Sequence, residues 1–378
     1  MPLSGFVSDW QSQLRPEELI IFYGALCFLF GGLLLIGFLF ASRVIKSSKF
    51  RRTVHYRELF QKILNAVVVN EMFSQRETPA PGFAYRIDEL KTLIAGSTLA
   101  RQVLTDKLLE MKKNLSGSSA QTLVATYYDL GLEKSSMKKI RSLAWEKKAK
   151  GIRELAEIGH KDGVAAISRF IHSSNVTLRE ESVMALVRLQ SDSPLFFLDQ
   201  YKYALTPWMQ LNIFHFIQKV DARSLPDFSR WYHHGDLSVR LFCIEMTKHF
   251  KQFGSLPALA KLINDGAPSV AAASVDTIGH LGAFQHRDEV IRLAETLPAD
   301  PAVIRSMLRC LGKIGDEQTD ITVVAPYLEH PQYAIRFEAA LACRDMGKSG
   351  EAFLRAYSEQ HDNRFDSMIR HLTEPLLQ

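Results

Sequence analysis

The strongest constraint on this chain is a period. Between Lys147 and Met346 seven segments share one pattern and follow one another without gaps: KKAKGIRELAEIG from Lys147, LREESVMALVRLQ from Leu178, WMQLNIFHFIQKV from Trp208, VRLFCIEMTKHFK from Val239, VAAASVDTIGHLG from Val270, VIRSMLRCLGKIG from Val303 and IRFEAALACRDMG from Ile335. Their starts lie 31, 30, 31, 31, 33 and 32 residues apart. Self-similarity at a near-constant period of this length marks a stack of supersecondary units, that is, a solenoid.

The columns of the alignment say which way each unit faces. The sixth position is Ile152, Val183, Ile213, Ile244, Val275, Leu308 and Ala340, and the ninth is Leu155, Leu186, Phe216, Thr247, Ile278, Leu311 and Cys343. The twelfth is Ile158, Leu189, Lys219, Phe250, Leu281, Ile314 and Met346. A spacing of three puts these columns on one side of a helix, the core side. The eleventh is polar every time: Glu157, Arg188, Gln218, His249, His280, Lys313 and Asp345. It faces solvent or a ligand. Gly159, Gly282, Gly315 and Gly347 end four segments, where a left-handed helix cap favours glycine. Shorter helical stretches lie between, such as VAAISRFIH from Val164, LPALAKLIN from Leu256 and ITVVAPYLE from Ile321. Each repeat is therefore expected to be an antiparallel helix pair that closes a core only by stacking on its neighbours. The third and fourth repeats are the least regular: Lys219 interrupts an apolar column, and Trp208, Phe214, Trp231, Tyr232 and Phe242 crowd there. Locally different packing or curvature is expected at that point.

These segments resemble HEAT repeats, in the short form of about 31 residues also found in phycobilin-lyase-type repeat proteins. IRFEAALACRDMG matches the pattern φ-R-x-x-A-φ-x-x-φ-x-x-φ-G best, and LREESVMALVRLQ follows it closely. The basic residue at the helix start appears as Lys148, Arg179, Arg240 and Arg336, and is missing at Met209, Ala271 and Ile304. The resemblance covers residues 145–378 and implies an α-solenoid; such repeats serve many unrelated binding roles.

A second feature lies at the other end. From Leu19 to Ala41 the chain carries no charged residue, and about 20 apolar residues suffice for a helix to cross a bilayer. A cleaved signal peptide would have a shorter apolar region behind a basic start, whereas Asp9, Glu17 and Glu18 precede this one. A retained anchor is the preferred reading. Arg43, Lys46, Lys49, Arg51 and Arg52 follow the span, and only Arg15 precedes it. The positive-inside rule then puts the N-terminus outside and the repeats in the cytoplasm of an inner (cytoplasmic) membrane, with the basic cluster near anionic headgroups. Gly24, Cys27 and Gly31 share one face of the span, a weak signal for a second helix packing there.

The expected organisation is all-α. A short extracytoplasmic N-terminus (1–18) leads into a single transmembrane helix (19–41) and a basic juxtamembrane segment (42–55). A helical linker and cap (56–146) precede an α-solenoid of seven HEAT-like helix pairs (147–348), and a C-terminal helical cap (349–378) closes it. Within the linker, Tyr56–Phe73 and the stretch from Ile87 read as helices, RETPAPGF from Arg76 as a loop broken by Pro79 and Pro81, and SGSSAQTLVATYYDLGL as a Ser-capped helix and turn.

No motif for phosphate binding (G-x-x-x-x-G-K-S/T), zinc hydrolysis (H-E-x-x-H) or a nucleophile elbow (G-x-S-x-G) occurs. The four cysteines, Cys27, Cys243, Cys310 and Cys343, form no C-x-x-C pair and read as packing residues. His233–His234 reads as a solvated turn. His249 and His280 would stand about 10 Å apart on neighbouring helices, too far for one metal. No catalytic residue, metal or cofactor is therefore assigned, and the expectation is not an enzyme but a membrane-tethered protein–protein interaction scaffold. The partner surface would be the seventh position, Arg153, Met184, Phe214, Glu245, Asp276, Arg309 and Leu341, together with Arg188, His249, His280 and Lys313 from the eleventh. Lys134, Lys138, Lys139, Arg141, Lys147, Lys148, Lys150 and Arg153 form a basic run broken by Glu133, Glu146 and Glu154. It is a solvated face, or with Arg43, Lys46, Lys49, Arg51 and Arg52 a contact for anionic lipid or an acidic partner. The layout of span, helical linker and short repeats resembles bacterial membrane-anchored HEAT-repeat proteins associated with membrane glycosyltransferases. That likeness implies a membrane-associated protein partner in a glycosyltransferase or polysaccharide-assembly system; with no nucleic-acid or catalytic motif in the chain, neither nucleic acid nor a small-molecule substrate is expected. A bilin-lyase-like enzyme or subunit and a basic-patch binder of nucleic acid or anionic lipid stay open as alternatives.

Overall fold

A computed structural model describes residues 16–73, 82–190, 193–296, 298–316, 320–360 and 372, and every regular element among them is helical. The chain divides into two units, Met1–Ser135 and Ser136–Gln378. The predicted loop at Pro79 and Pro81, the first fifteen residues, and the end of the chain apart from Leu372 lie outside the described residues.

The first unit is organised by one helix, α1 (Pro16–Phe73), of 58 residues. It contains a stretch, Tyr23–Val69, long and apolar enough to cross a membrane, with a mean hydropathy of 2.4 in its most apolar window and none of that window buried. The anchor, the basic segment and the first linker helix expected from the sequence are a single unbroken helix. No glycine or proline lies between Gly37 and Phe73 to interrupt it. Gly24, Cys27 and Gly31 are exposed on it, with nothing packed against either glycine. Its last third turns amphipathic: Phe60, Ile63, Leu64, Val67 and Val68 are buried, at helical spacing. That face packs on α3 (Thr98–Asn114) and α4 (Gly117–Asp129), and α2 (Gly82–Ala95) leans on α3. Arg57 on α1 pairs with Glu110 on α3 at 2.7 Å. The long helical pattern from Ile87 is cut at Gly96, where the Ser97 hydroxyl accepts the Ala100 amide proton at 3.1 Å and starts α3. Ser116 occupies the cap position of α4, but its hydroxyl accepts nothing from the helix start.

The second unit takes in the end of α5 (Leu132–Ile140) and then seven repeat helices: α6 (Trp145–Ile158), α7 (Val176–Leu189), α8 (Pro207–Ile217), α9 (Leu237–His249), α10 (Pro268–His280), α11 (Pro301–Ile314) and α12 (Tyr333–Asp345), closed by α13 (Lys348–Gln360). Asn175, Thr206, Asp236 and Asp300 each cap one of them by accepting an amide proton of the first turn. The intervening elements are less regular than paired helices. Before α7, α10 and α12 they mix α and 3-10 turns; before α8 and α9 they shrink to 3-10 turns alone, Phe196–Asp199 before α8, and Ala222–Ser224 and Phe228–Trp231 before α9. Pro194 and Pro226 precede Phe196–Asp199 and Phe228–Trp231 and cannot donate to a helix.

One continuous core runs from Ile140 to Leu372. All seven residues of the sixth column are fully buried. Thr247 in the ninth column is buried too, its hydroxyl bonded to the Cys243 carbonyl (3.0 Å) and the Tyr232 hydroxyl (2.6 Å). The third repeat departs. There Met209, Ile213 and Ile217 are buried at a spacing of four, while Phe216 is only partly covered. α8 stops at Ile217, so Lys219 lies beyond the helix and exposed; it shortens the helix and does not break a core column.

The expected glycine caps divide. Gly159, Gly282 and Gly347 have φ of 88°, 63° and 96°, whereas Gly315 has φ of −70° and an extended backbone. A side chain at Gly315 would meet the Leu311 carbonyl oxygen at 2.4 Å, so close approach explains that glycine. In the fourth repeat the same place is taken by Lys251, at φ 52°.

Candidate functional site

The helix-start basic residue, the most family-like mark in the sequence, is spent on the fold. Arg179 donates to the Ser173 carbonyl (2.8 Å), Arg240 to the Tyr232 carbonyl (2.7 Å), and Arg336 to the His330 and Pro331 carbonyls (2.8 and 2.9 Å). Each fastens a repeat helix to the end of the element before it. Arg240 also pairs with Asp265, the guanidinium of Arg179 lies 4.0 Å over the Tyr203 ring, and the Lys148 ammonium lies 5.3 Å over the Phe170 ring.

Of the histidine pair, His233 is exposed and His234 is structural. His234 bonds the Tyr201 carbonyl through Nε2 (2.8 Å) and accepts the Asp236 amide proton at Nδ1 (3.0 Å), which fixes its tautomer. Among the described residues no group of His, Cys, Asp and Glu could hold a metal ion. Cys243, Cys310 and Cys343 are buried, and burial pushes the Cys310 and Cys343 thiols up to about 12, so they are inert packing groups.

The predicted partner columns fall into three groups. Met184 is buried in the core, and Leu341 is half-buried against it. Arg153, Asp276 and Arg309 belong to ion pairs that tie neighbouring helices, Arg153 with Glu181, Asp276 with Lys248 (3.3 Å), and Arg309 with Asp276 and Glu338 (both 3.8 Å), while Glu245 pairs with Lys248 (2.7 Å) within α9. Burial opposes the charge on Lys248, but Glu245 and Asp276 outweigh it and hold the ammonium above its ordinary range. Burial wins at Glu338, whose carboxyl is raised despite Arg309 and Arg305. Arg188, His249, His280 and Lys313 are exposed. Of the basic residues, Arg43, Lys46, Lys49, Arg51 and Arg52 are exposed along α1, and Lys138 and Lys147 are exposed in the second unit. Lys139 is instead held 2.6 Å from the buried Glu154, which also accepts from Ser136 at 2.5 Å.

Phe214 leads to a site that the columns did not reveal. The repeat helices pack side by side through small residues at two seams. A side chain on Gly279 of α10 would meet the Cys310 backbone of α11 at 2.8 Å, and one on Gly312 of α11 would meet the Ala342 backbone of α12 at 2.9 Å. Between α8 and α9 no such pairing exists; rings stand in the seam instead. Phe214 of α8 meets His249 edge-on at 4.6 Å and Phe250 at 6.4 Å between centroids, and Phe228 of the 3-10 turn before α9 stacks on Phe250 at 5.9 Å. The helices are tied at their starts, where the Leu205 amide donates to the Ser238 hydroxyl at 2.7 Å. A groove of about 490 Å³ opens here, lined by Leu211 and Phe214 of α8, Leu241, Phe242 and Met246 of α9, and Ala273 of α10. Leu211 is 66% exposed, and Trp208 beside it 53%. A single exposed leucine is ordinary, but a contiguous apolar groove marks an interaction surface. The aromatic crowding was visible in the sequence. Leu211 and Phe242 were the stronger signal, since they stand where other repeats carry Lys150, Glu181 or Ala273.

No protein family and no curated protein matches the chain by sequence. Solved structures similar to it include a designed armadillo repeat protein (TM-score 0.29, 14% identity, covering 64% of this chain and 100% of that one). Others are human deoxyhypusine hydroxylase (0.28, 14%, 78% and 97%) and importin beta (0.38, 12%, 83% and 48%). At these scores and identities the helical-repeat assignment rests on the chain's own helices and continuous core.

Proposed function

We propose that this protein is a membrane-tethered interaction scaffold whose repeat array lies in the cytoplasm, and that it binds a partner protein rather than catalysing a reaction. The observation that carries this reading is the open apolar seam between α8 and α9, in a stack whose α10–α11 and α11–α12 seams are closed by glycine. Enzyme pockets gather convergent polar groups; this groove offers Gln210 and Glu245 alone among its polar linings, and Glu245 is already paired with Lys248. Tethering is supported by the length and hydropathy of α1, and a cytoplasmic array by the exposed Arg43, Lys46, Lys49, Arg51 and Arg52 beyond the apolar stretch. Kinship with bacterial membrane-anchored short-HEAT proteins, and through it a role beside a membrane glycosyltransferase, rests on the repeat segments and the layout alone.

Crosslinking followed by affinity purification from detergent-solubilised membranes tests the reading. A stable, saturable membrane-associated partner is expected, and deletion of the protein should lower that partner's activity. Recovery of no partner overturns it. A second reading, contact with anionic lipid, is favoured by the same five exposed basic residues. It predicts that replacing all five with glutamine weakens association with phosphatidylserine or phosphatidylglycerol vesicles while leaving partner recovery intact.

A further inference from the structure

Where α3 begins, its Leu99 comes against α1 and closes a corner of about 360 Å³, lined otherwise by Val44, Ile45, Ser48, Lys49 and Arg52 of α1. Val44, Ser48 and Arg52 recur at intervals of four, with Ile45 and Lys49 beside them, so the five form one stripe of the helix. From Val44 to Arg52 the stripe is about 12 Å long. It is graded along its length. Val44 and Ile45, 51% and 66% exposed, stand at the end nearer the charge-free stretch that closes at Ala41. Lys49 and Arg52, also exposed, stand at the other end. Side chains on a helix tilt toward its N-terminus, so both cations lean toward the apolar end of the stripe.

Charge selects what the corner can hold. No acidic residue occurs in α1 between Glu18 and Glu58, nor between Glu89 and Asp106 around the start of α3. Neither Lys49 nor Arg52 has an ion pair among the described residues, whereas Arg57 further along α1 is taken by Glu110 at 2.7 Å. Two unneutralised cations at one end and aliphatic surface at the other match a phosphate joined to hydrocarbon. A free phosphate would leave Val44, Ile45 and Leu99 wet, and a purely apolar partner would leave both cations without an acid. The corner also begins three residues past the charge-free stretch. In a bilayer spanned by that stretch, this is the depth of the headgroups. The positive-inside bias accounts for the sign of these residues but not for Leu99 closing a corner beside them. Arg43 and Lys46, on the opposite face, line a groove made by α1 alone.

We propose that this corner binds one anionic phospholipid, with Lys49 and Arg52 on its phosphate and Val44, Ile45 and Leu99 along the first methylenes of its chains. The inference rests on the reading of α1 as a membrane anchor, and it narrows the general basic contact with lipid to a site on one face.

The test uses the full chain in phosphatidylcholine nanodiscs holding a minor share of phosphatidylglycerol that carries a diazirine near the top of one acyl chain. Photolabelled segments are mapped by mass spectrometry. Label is expected on residues 44–52 of α1 and on residues 97–101 at the start of α3. Lys49→Gln with Arg52→Gln should lower that labelling about tenfold. Arg43→Gln with Lys46→Gln removes the same charge across the helix, where screening weakens it, and should lower labelling no more than about twofold. Lys49 and Arg52 are exposed, so the first pair should keep its helical signal and melting temperature. Equal losses from the two pairs, or label on α1 with none on α3, overturn the site and leave general attraction to anionic lipid standing. Labelling that ignores both pairs, or equal labelling by a phosphatidylcholine probe, overturns the site and the lipid contact together. Protection by inorganic phosphate beyond that of chloride at equal ionic strength assigns the corner to a free anion and overturns the proposal as well.

Discussion

Lys251 holds a left-handed backbone in the place where three other repeats have glycine. That conformation costs a residue with a Cβ about 1–2 kcal/mol, offset in part by the freedom glycine gains in the unfolded chain. Lys251→Gly is therefore expected to stabilise the protein by about 0.5–1 kcal/mol in thermal or urea denaturation. Asp265 gives a pH signature. Burial works against its carboxylate, but the Ala267 amide and the Arg240 guanidinium outweigh burial and hold the carboxyl below its ordinary 3.8. A depressed acid contributes stability at neutral pH, and that contribution is lost as pH falls below the ordinary value, because the unfolded chain takes up the proton first. Asp265→Asn should flatten the acid limb of a stability–pH profile by that share. At this scale the sequence was legible wherever burial decides: the sixth column is buried in every repeat. It misled where backbone geometry decides. Gly315 looks like its fellow glycines but serves close approach, and Lys219 looks like a core interruption but stands outside its helix.

Helices α10, α11 and α12 approach one another through Gly279 and Gly312, and α8 and α9 do not. The two kinds of seam should respond oppositely to added bulk. Gly279→Ala puts a methyl group 2.8 Å from the Cys310 backbone, which cannot move aside as a side chain can. Overpacking of this kind costs about 1–3 kcal/mol, measurable as a lower denaturation midpoint. Ala273→Leu faces the open groove and should change stability by less than about 0.5 kcal/mol, while filling the channel and lowering partner recovery. The periodicity that announces the repeats does not report seam width, because width depends on which small residue of one helix meets which residue of the next, some 30 residues on. For the same reason four of the seven residues in the seventh column are committed to ion pairs: Arg153 with Glu181, Glu245 with Lys248, and Asp276 and Arg309 in the ladder from Lys248 to Glu338.

At the scale of the whole molecule, α1 joins the apolar stretch to the core of the first unit without a flexible segment between them. A helix of 58 residues is about 87 Å long at 1.5 Å per residue. Rotation about its axis is then shared from end to end: the azimuth of Phe60 and Leu64 in their core is geared to the azimuth of Gly24 and Gly31 in the apolar stretch. Two alanines inserted after Ser47 should turn one end against the other by about 200°, while seven, nearly two full turns, should restore the phase within about 20°. If the apolar stretch spans a membrane and a second helix reads that face, the short insertion should abolish partner recovery and the long one should return it. Equal recovery from both would mean that the helix works as a tether alone, and that its continuity sets reach but not heading.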